Sequence, residues 1–179
     1  MQLVKGCCIV DDRFVRVLDD APVPEGVPVI VPAARLIADA RDLVLRQAPT
    51  GVIWPNDRRI AELAPYLDWL ALVALAFPTF KDGRAYSQAR LIRERYGFRG
   101  ELRATGQVLR DQLLFMHRAG FDAFEVSKDK DAAVFAETLK RYSVFYQPTG
   151  DGRVSALTAR AVRLQPPPAA APERREAVG

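Results

Sequence analysis

The sequence predicts an α/β protein with a mainly parallel sheet made of repeated strand–helix units. Three observations predict it. Strand-like apolar runs alternate with helical stripes through most of the chain. The run Leu70–Phe77 is apolar without a break, as suits a central parallel strand buried on both faces. Gly, Pro, Asp and Asn punctuate the junctions. Such units fit an open doubly wound sheet or an arc resembling half a barrel, preceded by an N-terminal β-hairpin and followed by a disordered C-terminal tail.

Taken in order, Leu3–Val10 and Phe14–Leu18 are short β-branched runs separated by Asp11-Asp12, which suggests a hairpin between them. Pro22, Pro24 and Pro28 make an extended connector. Val29–Val31 leads to Pro32 in the first turn of a helix, with Leu36, Ile37, Ala40, Leu43 and Val44 on its stripe. Val52–Trp54 is a strand, Pro55-Asn56-Asp57 a turn and N-cap, and Arg58–Ala64 a helix stopped by Pro65. Ala85, Ala89, Ile92 and Tyr96 form a stripe broken by Gly97. Glu101–Thr105 alternates, with Leu102 and Ala104 on one face and Glu101, Arg103 and Thr105 on the other. Gly106 turns into a helix carrying Val108, Leu109, Leu113 and Met116, closed by Gly120. Phe121–Val126 is a strand, Ala132–Tyr142 a helix and Ser143–Tyr146 a last strand. The expected division is residues 1–30 for the hairpin and connector, 31–150 for the α/β domain and 151–179 for the tail, which is Pro- and Ala-rich from Gln165 on.

Charge is unevenly placed. Lys81 to Arg118 holds nine basic and four acidic residues, a local excess of +5 in a chain whose net charge is +4. A local patch points to a partner. No apolar run reaches the roughly 20 residues that span a bilayer. Met1–Lys5 lacks the features of an export signal, so a cytoplasmic location and no membrane partner are expected. Aromatic positions are not interleaved through the basic stretch as in single-strand binders, so a nucleic-acid role is not expected.

Ligands of parallel sheets bind at the strand carboxyl ends. Loops Pro78–Arg84, Thr105–Gln107 and Ser127-Lys128 converge there. Arg84, Arg103, Thr105, Gly106 and Lys128 are therefore the candidate binding set for a small oxyanion, with arginine forks and helix N-termini as donors. Arg103 sits mid-strand, where a buried charge needs a partner such as Glu101 or Glu125, or a ligand. Arg93, Arg95 and Arg99 read as solvated helix residues. Asp82, in Lys-Asp-Gly-Arg, is a turn and cap residue or else a general base, and it is the one catalytic candidate. His117, the only histidine, reads as a helix C-terminal residue complementing the dipole. Cys7 and Cys8 read as two small apolar residues of a strand. No nucleotide, phosphate-loop, serine-nucleophile or zinc motif is present, so no cofactor and no metal are expected.

The stretch FPTFKDGRAYSQARLIRERYGFRGELRATGQVLRDQLLFMHRAGFDAFEV resembles the signature of a bacterial family, domain of unknown function 934. The likeness runs from about Ile53 to Gln147. The matching motif positions are Asp82, Gly83, Arg84, Tyr86, Ser87, Arg90, Arg103, Gly106, Arg110, Asp111, Gln112, Gly120 and Asp122. Ile92 and Ala85 stand where the family has Leu and often Gly. Members are encoded beside assimilatory sulfite reductase and labelled a probable oxidoreductase of sulfite reduction. The resemblance implies a role in that process with sulfite reductase as partner. That role is an oxidoreductase or accessory component handling an oxyanion, or a non-catalytic docking partner that aids assembly or electron transfer.

Overall fold

The structure is a computed structural model and describes residues 2–6, 8–127, 132–134, 137–138, 146, 149 and 155–164. Eight strands form one sheet: β1 (Gln2–Lys5), β2 (Cys8–Val10), β3 (Val15–Arg16), β4 (Val29–Pro32), β5 (Thr50–Trp54), β6 (Leu72–Phe77), β7 (Glu101–Gly106) and β8 (Ala123–Val126). Their spatial order is β2-β1-β8-β7-β6-β5-β4-β3. β3 to β8 run parallel in sequence order, and β1 joins β8 antiparallel with β2 on its far side.

Two facts make this sheet a curled half-barrel. Laid flat, the seven strand spacings from β2 to β3 would cover about 34 Å. Val10 and Val15 are joined only by residues 11–14, which reach at most about 19 Å. Arg16 of β3 also pairs with Glu125 of β8, five strands away in the order. A flat sheet would hold those strands about 24 Å apart. The strand–helix alternation therefore resolves into the arc, and the short Asp11–Phe14 link spans its open side.

Strand residues alternate between the two faces of the arc. Val29, Val31, Val52, Trp54, Val73, Leu75, Phe77, Leu102, Ala104 and Phe124 face outward into the main core. Helices α1 (Ala33–Ala38), α2 (Ala40–Leu45), α3 (Ile60–Leu63), α4 (Arg84–Arg90) and α5 (Leu113–Arg118) supply its other side through Leu36, Leu43, Leu63, Ala89, Leu113 and Met116. The inner face carries a small apolar set, Ile30, Leu72 and Ala74, with Ile53 and Phe14 against it. β6 is the expected central strand, apolar on both faces and almost wholly buried.

Several elements differ from expectation. The hairpin lies inside Leu3–Val10, between β1 and β2, because Gly6 takes φ +62° and turns the chain there. β3 instead joins the opposite edge, parallel to β4. The segment after β7 is not helical at Val108 and Leu109. A 3-10 turn at Arg110–Gln112 leads into α5, since Gly106 and Gln107 are drawn back onto β6 through the Gln107 N–H on Phe77 O at 2.8 Å. The Asn56-Asp57 turn forms, but Arg59 occupies the α3 N-cap position. α4 runs into a π-helical turn at Leu91–Arg95. Gly120 follows α5 as expected, its N–H on His117 O. Within the expected tail, Ala156–Leu164 form α6. Of the Ala132–Tyr142 helix, residues 132–134 and 137–138 are helical, and Tyr146 lies in a bend. Cys7, Lys128, residues 139–145 and the segment from Gln165 on lie outside the described residues.

Candidate functional site

Two polar groupings hold the residues singled out by the sequence. The first lies on the inner face. Arg103 is almost fully buried in β7 and keeps its charge by meeting three carboxylates. Its Nε donates to Glu101 at 2.8 Å, and Nη1 reaches Glu125 at 3.3 Å. The Nη1–Nη2 fork holds Asp12 at 2.6 and 3.1 Å. The Phe14 ring lies 5.7 Å from the guanidinium. Thr105, two residues on and so on the same face, donates to Glu125 at 2.6 Å and accepts from Arg16 at 3.2 Å. Lys5 caps Glu101 from the rim at 2.8 Å. Burial alone would lower the Arg103 pKa, but Asp12 and Glu101 outweigh it and raise the pKa above the ordinary value. A cleft of about 520 Å3 opens on this network between the β1–β2 hairpin and β7, lined by Leu3, Ile9, Asp12, Phe14, Glu101 and Arg103.

The second grouping lies at the carboxyl edge. Asp82 accepts from Arg84 Nη2 at 2.6 Å, from its Nε at 3.0 Å and from its backbone N–H at 3.2 Å. The anion at the start of α4 is thus the chain's own carboxylate. These Arg84 bonds outweigh partial burial and hold Asp82 well below the usual carboxylate range. So weak a base suits the turn-and-cap role better than proton abstraction near neutrality. Asn56 lies against Asp82 and adds to the lowering, yet its Nδ2 makes no hydrogen bond of ordinary geometry. Trp54 Nε1 and Gln88 Oε1 are likewise buried without a partner, while Gln88 Nε2 donates to Pro55 O and Arg58 O.

Gln107 and several motif positions brace this edge. Gln107 accepts from the Phe80 N–H at 3.1 Å and Gln112 donates to the Phe80 carbonyl at 3.0 Å, so the loops after β6 and β7 are tied together. Tyr86 packs edge-on against Phe77, and burial together with the Asp111 charge raises its pKa. Gly83 occupies the α4 N-cap position. Ser87 and Arg90 line a shallow surface groove with Leu91, Glu94 and Arg95, and Arg90 pairs with Glu94 at 3.1 Å. Phe80, Lys81, Leu109 and Arg110 are exposed there or beside it.

The expected oxyanion set is therefore divided. Arg103 and Thr105 come together on the inner face, and Gly106 ends the same strand. Arg84 lies apart, paired with Asp82 on the rim, and Lys128 lies outside the described residues. Glu101 and Glu125 are partners of Arg103 as expected; Asp12 and Arg16 are additional. Their only local signals were a paired aspartate and an arginine inside a β-branched run. Arg93 corrects the reading as a solvated residue. It is largely buried and donates to Phe98 O, Gly100 O, Gly120 O and Asp122 at the amino edge of the sheet. Asp122 also accepts from Leu102 N–H, which makes this motif position structural.

Among the described residues, no helix is long and apolar enough to cross a membrane, and no three His, Cys, Asp or Glu side chains are placed to hold a metal ion. A comparison with curated proteins finds no match. The family model for a bacterial protein of unknown function (DUF934) matches residues 51–157, which takes in the strands from β5 to β8, both braced loops at the carboxyl edge and the Arg93–Asp122 pair. The chain belongs to that family.

Proposed function

We propose that this protein is a cytoplasmic accessory component of assimilatory sulfite reduction that docks on sulfite reductase through the carboxyl edge of its sheet. The observation that carries the reading is Phe80. The residue is 44% exposed while both its backbone groups are held by Gln107 and Gln112. An aromatic anchor held rigid before binding loses little entropy on docking. Lys81, Leu109 and Arg110 around it complete the aromatic, aliphatic and arginine composition typical of interface hot spots. The choice of partner rests on what the resemblance noted in the sequence implies.

Affinity measurement between the full chain and sulfite reductase of the same bacterium tests this. Phe80→Ala should weaken binding on the order of thirtyfold or more, as for a hot-spot residue. Leu91→Ala, on the groove along α4, should leave it unchanged. No binding by the parent chain, or equal losses in both variants, rejects the reading. A second reading, an oxidoreductase component handling a small oxyanion, draws support from the cleft that opens on Arg103. It requires sulfite turnover to depend on this chain even when docking is weakened by Phe80→Ala.

A further inference from the structure

We propose that Arg103 is the floor of a binding site for a small monoanionic carboxylate, and that Asp12 fills this site from within the chain. The site lies on the inner face and does not depend on the docking reading. Of the three carboxylates on Arg103, Glu101 and Glu125 sit on β7 and β8 themselves, with side chains only 9% and 6% exposed. Asp12 sits on the link across the open side of the arc, and its side chain is 33% exposed. It is the one partner placed to leave.

The geometry left behind suits a carboxylate. Arg103 Nε and Nη2 also meet Glu101, each at 2.8 Å, and Nη1 reaches Glu125 at 3.3 Å, while the end-on Nη1–Nη2 edge that holds Asp12 is the arrangement that binds carboxylates in two parallel hydrogen bonds. Charge supports a monoanion. Lys5, Arg16 and Arg103 balance Asp12, Glu101 and Glu125 in this cluster. Withdrawal of Asp12 leaves one positive charge in excess, which one negative charge restores and two would overshoot. The cleft walls beyond the fork include Leu3, Ile9, Val10 and Phe14, so a short apolar tail has a surface to cover.

Acetate is the probe. Asp12→Ala vacates the seat, and its thermal unfolding is followed in chloride, acetate and sulfate at one ionic strength. We expect acetate to raise Tm by about 2–4 °C over chloride in this variant, with a smaller rise in the parent, where Asp12 competes. Sulfate should match chloride. In the parent, the Phe14 N–H donates to Asp12 Oδ1 at 3.1 Å, so its amide resonance should move with acetate and not with chloride. This second measurement holds whether or not the variant folds. An acetate effect equal to that of chloride in Asp12→Ala, or a Phe14 resonance unmoved by acetate, overturns the site. A sulfate effect equal to that of acetate overturns the carboxylate assignment.

Discussion

Arg103 and Asp12 stand 91 positions apart and meet fork to fork, with Nη1–Oδ2 at 2.6 Å and Nη2–Oδ1 at 3.1 Å. The pair ties the link before β3 to the middle of β7 and fills the inside of the arc with a polar cluster. Its acid sensitivity follows from Asp12. Partial burial raises the Asp12 pKa. The Arg103 hydrogen bonds, the Phe14 N–H and the charges of Arg103 and Arg16 outweigh that and set it below the ordinary 3.8. A carboxylate with a lowered folded pKa stabilises the fold above its unfolded pKa and loses that effect as pH falls through the folded value. Asp12→Asn should therefore be less stable than the parent at pH 7, and the gap should close as pH falls below 3.8. Urea unfolding at pH 7, 5 and 3 measures it. A gap independent of pH would mean that the Asp12 charge contributes nothing.

Arg93 provides a second test, at the opposite edge. It satisfies the carbonyls of Phe98, Gly100 and Gly120, which lie just before β7 and β8, and pairs with Asp122. Arg93→Met keeps the stem but leaves these acceptors short of a donor. The loss should be about 2–4 kcal/mol in chemical denaturation. Arg95→Met, whose parent residue lies over the Tyr96 ring on an exposed surface, should stay within about 0.5 kcal/mol. Equal effects would show that Arg93 is a surface charge after all.

Gly106 is the third. It has φ +92°, and a Cβ there would run into the Phe77 carbonyl. That close approach lets the loop after β7 fold back on β6. Gly106→Ala adds backbone strain of about 1–3 kcal/mol and a collision with rigid backbone. Gly6 has φ +62° with open space around it, so Gly6→Ala carries the strain alone. Thermal unfolding should show a clearly larger drop for Gly106→Ala. Similar drops would mean that β6 and β7 yield easily at this point.

The parts of the fold that sequence made legible are those governed by near neighbours. β6 announces itself because both its faces are buried, which leaves an unbroken apolar run. β7 alternates because its faces differ, and that alternation sets Glu101, Arg103 and Thr105 on one face, where Glu101 and Glu125 are among the expected partners of Arg103. The misplaced hairpin has a local cause as well: Asp11-Asp12 outweighed Gly6, although only Gly6 supplies the left-handed turn.

What stayed illegible is set by closure of the arc. Nothing near Asp12 or Arg16 in the chain indicates that they meet β7 and β8, because those contacts exist only once the sheet has curled. Arg93 reads as solvated in sequence for the same reason, since its acceptors come from separate segments. Arg84 reads in sequence as a donor for a bound anion, but Asp82, two residues away, already fills that role.

The clamp on Phe80 can be tested without any partner. The Phe80 N–H is bonded to Gln107 Oε1 at 3.1 Å, and the carbonyl accepts from Gln112 Nε2 at 3.0 Å. Neither is a ladder bond, so local protection at Phe80 rests on two side chains from the next loop. The Gln107 backbone N–H is held separately, on Phe77 O at 2.8 Å. Gln107→Ala should speed hydrogen exchange at Phe80 on the order of fivefold, the equivalent of about 1 kcal/mol for one neutral hydrogen bond. Exchange at residue 107 itself and along β6 should hold steady, because the backbone bond and the strand pairing survive. Gln112→Ala should add to the effect, since it frees the other side of the same peptide pair. Faster exchange along β6 as well would show that the loop and the strand open as one unit, and unchanged exchange at Phe80 would show that the side-chain clamp does not hold it.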